Sequence, residues 1–174
     1  MEPLITLVGV TMALWVAGAL GVRRLRSWPV ALRGGLAAMF TLTGVVHFVG
    51  MREELIAMVP PALPAPGLLV TVTGVLELLG AAALLWSRTA PWAAAGLTAL
   101  LLAMFPANVH LALTATDLAA HQELAPRTAM QAVYLAGTVA VLVAHTRRRA
   151  RTERRTSVAA QGSHVVGEGA RPVQ

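Results

Sequence analysis

Cysteine is absent from all 174 residues. That excludes thiolate nucleophiles, disulfide exchange and cysteine-ligated metal or iron–sulfur centres from the chain itself, so any redox chemistry must use a bound cofactor or a partner. Lysine is absent too: the 14 residues of the Lys+Arg class are all arginine. Charge of any sign is scarce, at 13% of residues against roughly a quarter in soluble domains. No His-x3-His pair and no carboxylate cluster suggests a metal site, and no phosphate-binding glycine loop, nucleophile elbow or dinucleotide fingerprint is present. His47 and His110 fall on different apolar runs, a poorer basis for haem ligation than for hydrogen bonding between helices.

What is abundant is apolar surface. Hydrophobic residues make up 56% of the chain and mean hydropathy is +0.67, which reads as an integral membrane protein. The pI near 11.6 does not point to nucleic acid, because the arginines sit at the edges of apolar runs and not along one face of a soluble domain.

Five runs are long enough to cross about 30 Å of hydrocarbon as helices: Leu4–Val22, Gly34–Gly50, Leu68–Trp86, Trp92–Leu113 and Ala129–His145. The expected architecture is an all-α transmembrane bundle of five spans. Three regions follow: residues 1–33, an N-terminal span with a basic loop; residues 34–146, a four-helix membrane domain; and residues 147–174, a basic and disordered tail. Arg23, Arg24, Arg26 and Arg33 fill the first loop, Arg88 follows the third run, and Arg147, Arg148, Arg149 and Arg151 open the tail. The alternate loops hold Arg52 and Arg127 beside Glu53, Glu54, Asp117 and Glu123. This asymmetry predicts an outside amino terminus and a cytoplasmic carboxyl terminus.

The first run is expected to be retained and not cleaved, since Met1-Glu2-Pro3 carries no positive charge and the apolar stretch exceeds that of a signal peptide. Its Gly9, Ala13, Ala17 and Gly21 form a small-residue stripe suited to close helix packing. After the second run, Met51, Leu55, Met58 and Val59 recur at helical spacing opposite charged residues, so a short interfacial helix is expected there. The prolines of residues 60–66 should follow it as an extended cap, either a rigid connector or a lid.

Polar residues inside the spans are the candidate site. Glu77 is tenth in a nineteen-residue apolar run, where an acidic side chain costs roughly 3 kcal/mol and is retained for a partner or a task. A carboxyl at that depth is expected to carry its proton unless paired. His47, with Thr43 one turn earlier, Asn108 and Gln131 all fall toward the same side of the bilayer as Glu77. Asn108 and His110 stand roughly 200° apart around a helix, so they face different neighbours, and Asn108 is expected to be the inward one. Pro106 should loosen the ladder beside it. Glu77 and His47 are the candidates for proton transfer; Thr43, His47, Glu77, Asn108 and Gln131 form the ligand-binding or inter-helix cluster, and no metal is assigned.

Gly44-Val45-Val46-His47-Phe48, Val59-Pro60-Pro61-Ala62-Leu63-Pro64-Ala65-Pro66, Gly74-Val75-Leu76-Glu77-Leu78-Leu79-Gly80-Ala81, Phe105-Pro106-Ala107-Asn108, and Arg127 with Gln131 together resemble the pattern of small DoxX-like membrane proteins, over about residues 34 to 145. The resemblance implies a four-helix membrane bundle from spans two to five, with the first span added. It also implies association with a redox system, since the family takes its name from a subunit of a thiosulfate-to-quinone oxidoreductase, although most small members have no assigned activity. Met51 and Leu55 stand where the family commonly carries a proline and a large aromatic, so the interfacial segment is expected to pack differently.

Three functions compete. The first is a non-catalytic membrane subunit or scaffold that seats a redox protein partner in the lipid bilayer, as a monomer or homo-oligomer, without nucleic acid and without a covalently bound cofactor. The second is a quinone-interacting oxidoreductase subunit with Glu77 exchanging protons and His47 or Asn108 holding a carbonyl oxygen. A cavity of about 300 Å³ or more beside Glu77 favours it. The third, a proton-coupled carrier of a small solute, is disfavoured by the lack of an internal repeat.

Overall fold

The computed structural model describes residues 2–114 and 124–168, so the loop acids Asp117 and Glu123 lie outside the described residues. Among those residues every regular element is a helix. α1 covers Glu2–Ala19, α2 Trp28–Val46, α3 Arg52–Met58, α4 Pro66–Leu84, α5 Ala90–Thr114 and α6 Leu124–Glu168, with a 3-10 turn at Arg23–Leu25. All but α3 are long and apolar enough to cross a membrane. The chain is an all-α, multi-pass membrane protein. It divides into two compact units, one ending at Leu142 and one beginning at Val143.

Within the first unit α2 is central, packing on α1 and on α4, while α4 packs on α5. The core is built on Leu36, Met39 and Phe40 of α2, Leu84 of α4 and Leu97 of α5. α6 joins through Val141, through Gly137 against Leu36, and through Thr138, which accepts a 2.8 Å hydrogen bond from Thr98 of α5.

α2 begins six residues before the predicted Gly34, at Trp28, after Ser27 in extended conformation and with proline in its first turn. Arg33, read above as a loop residue, therefore lies inside the helix. Its guanidinium reaches the end of α4, donating from Nε to the Leu84 carbonyl at 2.7 Å, from Nη2 to the Leu85 carbonyl at 2.8 Å and from Nη1 to Ser87 Oγ at 3.3 Å. Helix C-termini leave carbonyls without intrahelical donors, and a cation there also meets the negative end of the macrodipole. With its charge satisfied by a neighbouring helix, Arg33 does not end its own.

The α1 stripe predicted from Gly9, Ala13, Ala17 and Gly21 is not the packing face: Gly9, Ala13 and Gly21 are exposed, and a Cβ at Gly9 or Gly21 would meet nothing within 4 Å. The contact runs instead through Leu7, Thr11, Leu14 and Gly18. Leu7, Thr11 and Leu14 face Gly34 and Gly35 of α2, and Gly18 lies against the Leu25 carbonyl. An Ala/Gly-rich helix offers small residues on every side, and the partner's glycines select which side is used.

The interfacial helix appears as α3, but the proline segment after it is turned and not extended, with Leu63 N–H donating to the Pro60 carbonyl at 2.9 Å and Ala65 in the left-handed region at φ 50°. The arginine run, expected to open an irregular tail, lies within α6, which continues to Glu168. No proline interrupts the sequence between Pro126 and Pro172, and arginine and alanine are strong helix formers, so local propensity carries the helix on.

Candidate functional site

Glu77 lies on the buried face of α4 and is 4% exposed. What brings it to a partner is Gly74, one turn earlier. A Cβ at Gly74 would stand 2.5 Å from His47 Cβ and 2.9 Å from Phe48 Cε2, so α4 meets the end of α2 at a separation that glycine alone permits. At that separation Thr43 Oγ1 donates to Glu77 Oε2 at 2.6 Å. Thr43 also supplies its carbonyl to His47 Nδ1 at 2.8 Å. A carbonyl only accepts, so Nδ1 carries the proton and the neutral ring leaves Nε2 as an acceptor. His47 is the residue after the last of α2; burial lowers its pKa, the hydrogen bond to Thr43 opposes that, and nearby Arg52 adds to the lowering.

Beyond this pair the bundle forms a partly open cavity of about 420 Å³. Thr43 lines it from α2 and His47 from the residue that follows α2, Glu77 from α4, Asn108 from α5 and Gln131 from α6, so all five residues singled out by their polarity in apolar runs meet in one space. Around them the wall is mostly apolar and rich in methionine: Met39, Met104 and Met130 contribute from three helices. Such a wall adapts to the shape of an apolar ligand. His110 is not among the lining residues, which agrees with the angular argument that placed Asn108 inward. His47 and His110 do not meet at this cavity.

The polar groups are held by specific bonds. Gln131, 7% exposed, donates its amide Nε2 to the Leu101 carbonyl at 2.6 Å. That carbonyl is next to Leu102, whose own helical donor is removed by Pro106, so the inter-helix bond falls where the α5 ladder is interrupted. Asn108 accepts from Arg127 Nη1 at 3.0 Å, which ties α5 to α6. The cap on this end is α3, whose Leu55 and Met58, with Met51 just before them, line the cavity; none of the prolines at 60, 61, 64 and 66 does. Arg52 fixes α3 in place, donating to the His47 carbonyl at 3.1 Å, the Gly67 carbonyl at 3.2 Å and Thr71 Oγ1 at 2.9 Å.

Residues 36–142 match a family described as a domain of unknown function, DUF8561, over more than half of the chain. The chain belongs to that family. The DUF8561 region contains Thr43, His47, Glu77, Asn108 and Gln131 and leaves α1 outside it. Comparison with curated proteins and with solved structures finds no match.

Three further polar residues line the cavity beyond the five expected from sequence: Glu2 of α1, which lies outside the DUF8561 region, Arg127 and Tyr134. Arg127, a loop charge that the resemblance pairs with Gln131, braces Asn108. Tyr134, the one tyrosine of the chain, lines the cavity with a buried hydroxyl that has no hydrogen-bond partner among the described residues. Its signal was spacing: it lies three residues after Gln131, on the same face of α6.

Proposed function

We propose that this protein is a membrane subunit of a redox system that binds a lipophilic quinone-class molecule in the bundle cavity, with Glu77 exchanging protons with the ligand. The observation that carries this reading is the convergence of Glu77, Thr43, His47, Asn108 and Gln131 on one mostly apolar cavity of about 420 Å³. That volume lies within the range of small-molecule sites, and a few placed polar groups in an apolar wall suit an apolar body with a polar head. The DoxX-like resemblance supports the redox association. Reduction of a quinone takes up two electrons and two protons; Glu77 passes both protons, reloaded from water between the two transfers, His47 accepts a ligand hydroxyl through Nε2, and a redox protein partner supplies the electrons, since the chain has no cysteine-ligated centre. The quinone is a dissociable ligand, and no cofactor is covalently bound.

The arginine asymmetry supports a bacterial-type cell membrane location with the amino terminus outside and the carboxyl terminus cytoplasmic. On that orientation the cavity's polar residues lie toward the outer leaflet, and lipids and a second copy of the chain are the other expected neighbours.

Native mass spectrometry of the detergent-purified protein tests the reading. The wild type is expected to carry a quinone-sized adduct that is missing from Glu77→Gln. Glutamine still accepts from Thr43, so the variant keeps the α2–α4 bond while losing the exchangeable proton. Lipids alone on both proteins, or a second chain that stays bound to the variant, would return the protein to the role of a non-catalytic scaffold.

A further inference from the structure

The cavity's side chains have spent part of their hydrogen-bonding capacity on the bundle, and what remains follows from what is spent. His47 gives Nδ1–H to the Thr43 carbonyl, which leaves Nε2 as a lone pair. Gln131 gives one Nε2–H to the Leu101 carbonyl, which fixes the amide's orientation and leaves both Oε1, an acceptor, and a second N–H. Both residues line the cavity, where a ligand head group can meet these acceptors. On the donor side stand the Tyr134 hydroxyl, unpartnered among the described residues, and the Asn108 amide, whose oxygen is already occupied by Arg127.

Resting on the quinone reading above, we infer that the cavity selects head groups that carry hydroxyls, and so holds the hydroquinone form of its ligand in preference to the oxidised form. A hydroquinone O–H donates to His47 Nε2 or Gln131 Oε1 while its oxygen still accepts from Tyr134. An oxidised quinone presents carbonyls, which only accept. Against His47 Nε2 it sets lone pair facing lone pair, and sites built to bond a hydroxyl reject analogues that lack one. By linkage, a ligand held more tightly when reduced is also easier to reduce when bound: a tenfold preference raises the two-electron midpoint potential by about 30 mV.

Anaerobic calorimetric titration of the full detergent-solubilised chain with a decyl-substituted benzoquinone and, separately, with its hydroquinone decides the point. The hydroquinone is expected to bind at least about tenfold more tightly. His47→Leu, which removes one acceptor, is expected to weaken the hydroquinone more than the quinone and shrink that ratio. Equal affinities, or tighter binding of the quinone, would overturn the preference while leaving the quinone reading in place. Binding of neither probe by the folded wild type would remove both. The wild-type ratio decides the matter even if His47→Leu fails to fold.

Discussion

Gly35→Ala is expected to lower the stability of the detergent-solubilised protein by about 1–3 kcal/mol, because the added methyl has nowhere to go. A Cβ at that position falls on Thr11 Oγ1 and stands 2.7 Å from the Leu7 carbonyl. The threonine can change rotamer, but the carbonyl is main chain in the middle of α1 and cannot yield without moving the helix. α1 is therefore expected to shift away from α2. Thr11→Ala added to Gly35→Ala should recover part of the loss and not all of it, since the Leu7 carbonyl remains. Gly9→Ala supplies the contrast: nothing lies within 4 Å of its Cβ, and exchanging glycine for alanine in a helix favours the helix by up to about 1 kcal/mol. Unfolding of the three variants in mixed micelles of increasing dodecyl sulfate content measures the order. Equal losses at Gly9 and Gly35 would restore the small-residue stripe as the α1 interface and refute the packing described here.

The same contrast shows where sequence reasoning reaches and where it stops. Thr43, His47, Glu77, Asn108 and Gln131 were legible because a polar group in an apolar span must be satisfied whatever the packing, so the rule that finds it needs no knowledge of neighbours. The face of α1 was not legible, because which small residues matter depends on Gly34 and Gly35 of another helix. Tyr134 was passed over because a tyrosine with an apolar body is cheap to bury, and its unpartnered hydroxyl is a property of the folded surroundings. The five spans were legible from length and hydropathy, and their edges less so. Hydropathy treats every arginine as a break and has no term for a guanidinium that bonds a neighbouring helix.

Arg33 tests that last point with a large effect. Arg33→Ala is expected to destabilise the bundle by about 3 kcal/mol, the low end for two charge-assisted hydrogen bonds, since one of the two carbonyls is partly open to solvent screening. The bonds at stake are those to the Leu84 and Leu85 carbonyls, at 2.7 and 2.8 Å, and Leu84 is itself fully buried in the core. Removing the donor leaves the last turn of α4 without its cap, at the end of the bundle away from Glu77. Arg33→Lys separates two explanations of the residue. If Arg33 serves only as a positive charge that sets orientation, lysine replaces it fully. If it serves as a planar fork that spans two successive carbonyls, lysine, a compact ammonium on a different stem without the fork's fixed geometry, should recover less than half of the loss. Dodecyl sulfate unfolding of the two variants reads the difference, and a lysine variant as stable as the wild type would reduce Arg33 to a topology charge. A loss in both variants with binding of the decyl-substituted benzoquinone probe unchanged from wild type would further show that the capped end and the cavity end of the bundle are energetically separable, as expected of sites with no shared partner.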